Sequence, residues 1–147
     1  MKNLKIILIC FLTSALMWSC MSQNSTNSSK KNLQKEWMLV SFQHFSKEKL
    51  TEFQAKMNLV PNVNNTNQYS AKMGCNNMFF TIKTAANNKI EFSQVGSTMM
   101  FCQDRMDLES AFGKALPMMN SYKIDGHYLT LTDDKGNEMK FIAADWD

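Results

Sequence analysis

The chain has 147 residues, 44% hydrophobic and 20% charged, which is enough apolar content for one core and too little length for a multidomain enzyme. With 5 Gly and 2 Pro it is neither collagen-like nor Pro-rich, and it has no glycine run of the kind that cradles a phosphate. The formal charge of +3 falls by two when Lys2 and Lys5 are assigned to an export leader, and no Lys/Arg stripe appears elsewhere, so nucleic acid is not an expected partner.

Residues 1–19 have the parts of a secretory signal: a basic start at Lys2 and Lys5, an apolar run from Ile6 to Leu12, and small residues before a cleavage point. The run is too short for a stable transmembrane helix. Its end, Leu16-Met17-Trp18-Ser19-Cys20, resembles a bacterial lipoprotein signal, although bulky Trp18 departs from the commonest form. The resemblance implies that Cys20 is diacylated and becomes the mature N-terminus. Several acyl chains, at about 0.8 kcal/mol per buried methylene, make a permanent anchor where one chain holds only marginally. An ordinary leader cut elsewhere is the alternative. Met21 stands where an aspartate retains many lipoproteins at the inner membrane, so the outer membrane is the location expected by analogy. Residues 20–35 are rich in Ser, Asn, Gln, Thr and Lys and read as a tether with a root-mean-square span of roughly 20–25 Å.

From residue 36 to 147 the composition is that of a folded domain. Trp37 to Phe45 is rich in aromatic and β-favouring residues and predicts the first strand. Ser46 to Gln54 is charged and carries no clear period, Ala55 to Val60 is compatible with a strand, and Pro61 to Asn67 reads as a loop. Strands follow at Gln68 to Gly74, Met78 to Ile82 and Lys89 to Phe92, with Asn87-Asn88 turning the chain. Leu108, Ala111, Phe112, Ala115, Leu116 and Met119 recur at spacings of three and four, which predicts a helix of about three turns. Asp104 is its expected cap and Pro117 its expected stop. Tyr122 and Ile124, Leu129 and Leu131, and Met139 and Phe141 alternate with polar residues in three further strands, joined at Asp125-Gly126 and at Asp133 to Gly136. The expected fold is α+β: a strongly bent antiparallel sheet or partly open barrel of about seven strands packed on one helix, with no internal repeat and no second core.

These residues resemble the META-domain family, which includes the HslJ-like heat-shock lipoproteins. The match runs through Trp37-x-Leu39, Gly74-Cys75-Asn76, Thr98-x-Met100-x-Cys102, Glu109-x-x-Phe112-x-x-x-Leu116, Tyr122-x-Ile124-x-Gly126-x-x-Leu129-x-Leu131, Gly136 and Met139-x-Phe141. It covers nearly the whole domain in order. Phe80 and Ile82 stand where the family often has Gly and then Tyr, which puts the turn there in doubt. The resemblance implies a small exported domain, often lipid-anchored, associated with envelope stress tolerance and lacking an agreed catalytic set.

Cys75 and Cys102 are the two thiols left after leader removal and acylation, and an even pair in an oxidising envelope is a disulfide candidate. Closing roughly 27 residues would stabilise by roughly 3–4 kcal/mol. Two buried free thiols, or a redox or metal role, are the alternatives, and the spacing is not that of a Cys-x-x-Cys redox pair. His44 and His127 with the two cysteines lack the short local spacing of structural zinc sites. Met99-Met100 and Met118-Met119 are soft thioethers of the kind that hold Cu(I), but core filling is the preferred reading. Ser97 and Ser110 lack a positioned His and carboxylate, and the dipole at the helix start accounts for Asp104 and Asp107. No catalytic residue, cofactor or metal is therefore expected.

The expected function is a non-enzymatic, lipid-anchored envelope factor that binds another envelope component. The rivals are a binder of small apolar ligands in the barrel mouth and a secretion pilot lipoprotein. An exposed apolar patch marks a partner-binding module, whereas an apolar cavity marks a ligand binder.

Overall fold

The computed structural model describes residues 32–61 and 67–146. The leader, Cys20 and the tether as far as residue 31 lie outside the described residues. Strand β1 (Glu36–Phe42) buries Trp37, Leu39 and Phe42. Strict alternation would bury residue 41 instead. The register against β9 (Glu138–Ala143) shifts between Leu39 and Ser41, and this bulge turns Phe42 inward. The ambiguous segment after it forms helix α1 (Lys47–Glu52), whose Ser46 hydroxyl accepts the Lys49 N–H at 3.3 Å.

The remaining elements are β2 (Lys56–Asn58), β3 (Gln68–Lys72), β4 (Asn77–Ala85), β5 (Lys89–Phe92), β6 (Gly96–Ser97), α2 (Met106–Ala115), a 3-10 turn (Leu116–Met118), β7 (Ser121–Asp125) and β8 (Tyr128–Thr132). Antiparallel pairs run β1, β2, β3, β4, β5, β7, β8, β9 and back to β1. The barrel is thus closed and eight-stranded, where the sequence led us to expect about seven strands and a partial opening. Two features account for the difference. Residues 56–58 do pair, bridging β1 to β3, and the β5 to β7 seam closes on one register pair, Lys89 with Ser121. Short β6 lies along the β4 edge beyond β5.

The residues Phe80 and Ile82 that replace the family's Gly and Tyr lie inside β4, which runs through both without a turn. Positive φ occurs at Asn87, Asn88, Gly126 and Gly136, all in connections that the sequence marked as turns. Helix α2 starts at Met106 with Arg105 at its N-cap and no side-chain cap. Asp104 does not cap it: it lies one residue before the N-cap position, with φ +61°. The α-helix ends where Pro117 was expected to stop it, with Leu116 as its C-cap, and Pro117 lies in the 3-10 turn that follows.

Leu108, Phe112 and Leu116 form the buried face of this helical segment. Phe112 meets Phe42 edge to face with ring centroids 6.4 Å apart, and a Cβ on Gly113 would lie 3.2 Å from Met78 Cε. The helix therefore packs over the barrel end where β1 finishes and β4 begins. At the opposite end Glu36 pairs with Asn58, Ala144 donates to the Glu36 carbonyl, and Lys35 Nζ lies 2.9 Å from Asp145. Among the described residues no helix is long and apolar enough to cross a membrane.

Candidate functional site

Several of the motif residues converge at the helix-covered end. Gly74 has φ +113°, and a Cβ there would sit 2.9 Å from the Phe53 ring, so only glycine fits both the conformation and the space. Arg105 lies over the same ring at 4.9 Å. Cys75 is joined to Cys102, with Cα atoms 6.0 Å apart.

Next to that bond, Asn76 is 1% exposed and Glu109 6% exposed. The Asn76 Oδ1 accepts from Thr98 Oγ1 at 2.7 Å and from the Met100 N–H at 2.8 Å. Its Nδ2 donates to the Met100 carbonyl at 3.0 Å and to Glu109 Oε1 at 2.9 Å. The Asn76 backbone N–H donates to Glu109 Oε2 at 2.8 Å. Thr98 completes the set, donating its N–H to the Asn77 carbonyl at 3.0 Å and accepting the Asn77 N–H at 3.2 Å on its hydroxyl. Among the described residues no buried side-chain polar atom lacks a partner. The network ties the turn before β4, the segment after β6 and helix α2 together as a clasp.

The clasp holds a loop outward. Met99 is 99% exposed, Met100 57% and Phe101 84%. The preferred reading of the methionines as core filling is corrected here: Met99, Met100 and Met118 are exposed, and only Met119 of the four is buried. Asn76 holds the Met100 backbone and the disulfide holds Cys102. Glu109, which dipole complementarity left unexplained, is the carboxylate that Asn76 requires. Its distance in sequence from Asn76 hid the pairing; the motif itself was the available signal.

Trp37 and Leu39 sit in the core at the opposite part of β1, and Trp37 Nε1 donates to the Leu33 carbonyl at 2.9 Å. His44 stacks on Phe45 and His127 on Trp146. With both thiols consumed in the disulfide, the four-residue zinc set does not assemble. Leu129, Leu131, Met139 and Phe141 are fully buried in the barrel. A cleft of about 540 Å³ lies between Leu33, Leu59, Tyr69 and Ile82, side chains of the core cluster or packed against it.

The META domain family matches residues 31–146. A protein from Burkholderia xenovorans solved by NMR is similar at TM-score 0.62 and 15% identity, over 86% of this chain and 94% of that one. A second NMR structure matches at TM-score 0.58 and 17% identity, over 79% and 95%. A crystal structure of a DUF4847 family protein from Bacteroides vulgatus matches at TM-score 0.50 and 11% identity, over 82% and 99%. At such identities these likenesses concern the fold. No curated protein matches the sequence. The family match spans the whole described barrel and both halves of the clasp, and the chain belongs to the META-domain family.

Proposed function

We propose that this META-domain protein is a lipid-anchored factor of the bacterial cell envelope, held at the outer membrane through Cys20, that acts without catalysis by binding another envelope component. The observation that carries the reading is the Met99-Met100-Phe101 loop, three consecutive apolar side chains held in solvent by a buried clasp. A role in envelope stress tolerance follows from the family resemblance.

Fully burying a Met or Phe is worth about 1.5–3 kcal/mol. Three such side chains approach the ~8 kcal/mol of a micromolar complex before association costs are subtracted. A loop already fixed by hydrogen bonds and a disulfide loses little further entropy on docking, which favours a transient contact over none.

Position supports the same reading. The N-terminal entry at Leu33 lies at the barrel end away from the loop, so a tether from Cys20 would present the loop away from the anchoring bilayer. That display suits a protein partner in the envelope.

The test is a photo-crosslinker, p-benzoylphenylalanine, placed at residue 101 of the full-length lipoprotein in its native membrane. A discrete protein adduct is expected, lost when Met99 and Met100 are replaced by Asp and absent when the probe replaces exposed Lys123 on β7. No adduct at 101, or the same adduct from both positions, rejects the reading. Cys20→Ser tests the anchor separately, by release from the membrane fraction. An adduct with a large outer-membrane assembly would assign the pilot role.

A further inference from the structure

The described methionines fall into three groups, one of which, Met38 and Met106, is intermediate in exposure. Met57, Met73, Met78, Met119 and Met139 are buried in the core, where no solute reaches sulfur. Met99 and Met100 stand on the loop, and Met118 is 59% exposed after α2. The two described cysteines are already joined, so neither offers a thiol to an oxidant. The accessible reduced sulfur of the described domain is therefore thioether, and Met99 is its most exposed case.

We propose that Met99 and Met100 are a modification site for two-electron oxidants of the peroxide class, and that their sulfoxides switch off the loop's contact. The second half rests on the loop being the docking surface. In the step, a thioether lone pair attacks one oxygen of hydrogen peroxide; the S–O bond forms, the O–O bond breaks, and the other oxygen leaves as water after proton transfer. Sulfur gives up two electrons and the peroxide takes them. The product carries a polar S–O group in place of an apolar sulfur.

The clasp makes this a switch and not a lesion. Asn76, Thr98 and Glu109 contain no sulfur, and the Asn76 bonds to Met100 engage its backbone. Oxidation at the Met99 and Met100 side chains leaves all of these bonds in place. The barrel keeps its fold while its docking tip becomes polar. Reduction of the sulfoxides by methionine sulfoxide reductases restores the apolar surface.

The test treats the full-length lipoprotein in its membrane with limiting hydrogen peroxide and maps sulfoxides by peptide mass. Met99 and Met100 are expected to oxidise at least about tenfold faster than Met57, Met73 and Met139. Met118 gives the rate for a comparably exposed methionine outside the loop. Equal rates in loop and core, or an unmodified loop when Met118 is oxidised, overturns the site.

The crosslink from residue 101 is then measured before and after peroxide. Its yield is expected to fall several-fold, to recover with a sulfoxide reductase, and to stay constant in the Met99→Leu, Met100→Leu double variant, which keeps the apolar tip without oxidisable sulfur. A yield unchanged by mapped loop sulfoxides overturns the switch. If no crosslink forms even before peroxide, the docking reading falls and takes the switch with it, and the sulfoxide map decides the modification site by itself.

Discussion

Asn76 binds Met100 as a neighbouring strand would: its side-chain amide accepts the Met100 N–H at 2.8 Å and donates to the Met100 carbonyl at 3.0 Å. One side chain thus substitutes for a β-ladder at the point where β6 has ended, and it fixes a segment whose side chains are mostly exposed. The same amide reaches Glu109 on α2, so the loop, the β3 to β4 turn and the helix share one polar centre.

Removing that centre is costly. Asn76→Ala keeps the backbone N–H on Glu109 Oε2 but removes the side-chain partner of Glu109 Oε1 and of both Met100 backbone groups, and a loss of about 1–3 kcal/mol is expected, the cost of a buried group left unpaired. Urea unfolding measures it. Asn76→Asp, nearly isosteric, should also destabilise, because a second carboxyl would face Glu109 and the Met100 carbonyl. A loss below about 0.5 kcal/mol in the alanine variant would contradict the role given to the clasp.

Gly74→Ala meets a different obstacle. Its Cβ would lie 2.9 Å from the Phe53 ring, on a backbone at φ +113° that L-residues avoid. Clash and strain together predict a loss of about 2–4 kcal/mol. Phe53→Leu in the same chain should recover part of it by relieving the clash while leaving the backbone strain, and a double-mutant cycle separates the two.

The disulfide and the clasp act on the same loop by different means. Reduction, or Cys75→Ala with Cys102→Ala, should lower stability by roughly 3–4 kcal/mol through the freed unfolded chain. The Asn76 bonds remain, so the Met100 amide should stay protected from hydrogen exchange in the reduced, folded protein. Exchange of that amide at the rate of an open loop would show that the disulfide alone holds it.

Two carboxylates predict an acid limb. The Asn137 side-chain amide holds Asp133 below the usual carboxylate range, helped by the backbone N–H groups of Asn137 and Lys135, and the Lys35 ammonium does the same for Asp145. A folded value below the unfolded one means that the stabilisation is complete above the unfolded carboxylate range and disappears as pH falls through the lower, folded value. Unfolding midpoints should therefore drop as pH falls below about 4. Asp133→Asn and Asp145→Asn should each flatten that limb. Only the Asp145 contribution should weaken in salt, because it rests on an exposed ion pair.

The strands from Tyr122 to Phe141 were readable in the sequence because each carries an alternating inward face and ends at a turn with positive-φ residues. Helix α2 was readable because six apolar residues set its period. Helix α1 was not, since Leu50 is the only buried residue in its six positions and one residue defines no period. The sequence left Ala55 to Val60 compatible with a strand, and the pairing of three-residue β2 with β1 and β3 brought the count to eight and closed the ring.

What the sequence determined by itself was local: where chains alternate, where they turn, which motif residues identify the family, and that a barrel-like core was within reach. Tertiary structure alone decided which elements meet. Asn76 and Glu109 are 33 residues apart, and no periodicity relates them. Met99, Met100 and Phe101 have the composition of a core, yet they are exposed on a segment whose Met100 backbone is bonded to Asn76. Hydrophobicity states what burial would be worth to a side chain, but only the surrounding backbone geometry decides whether that burial is available.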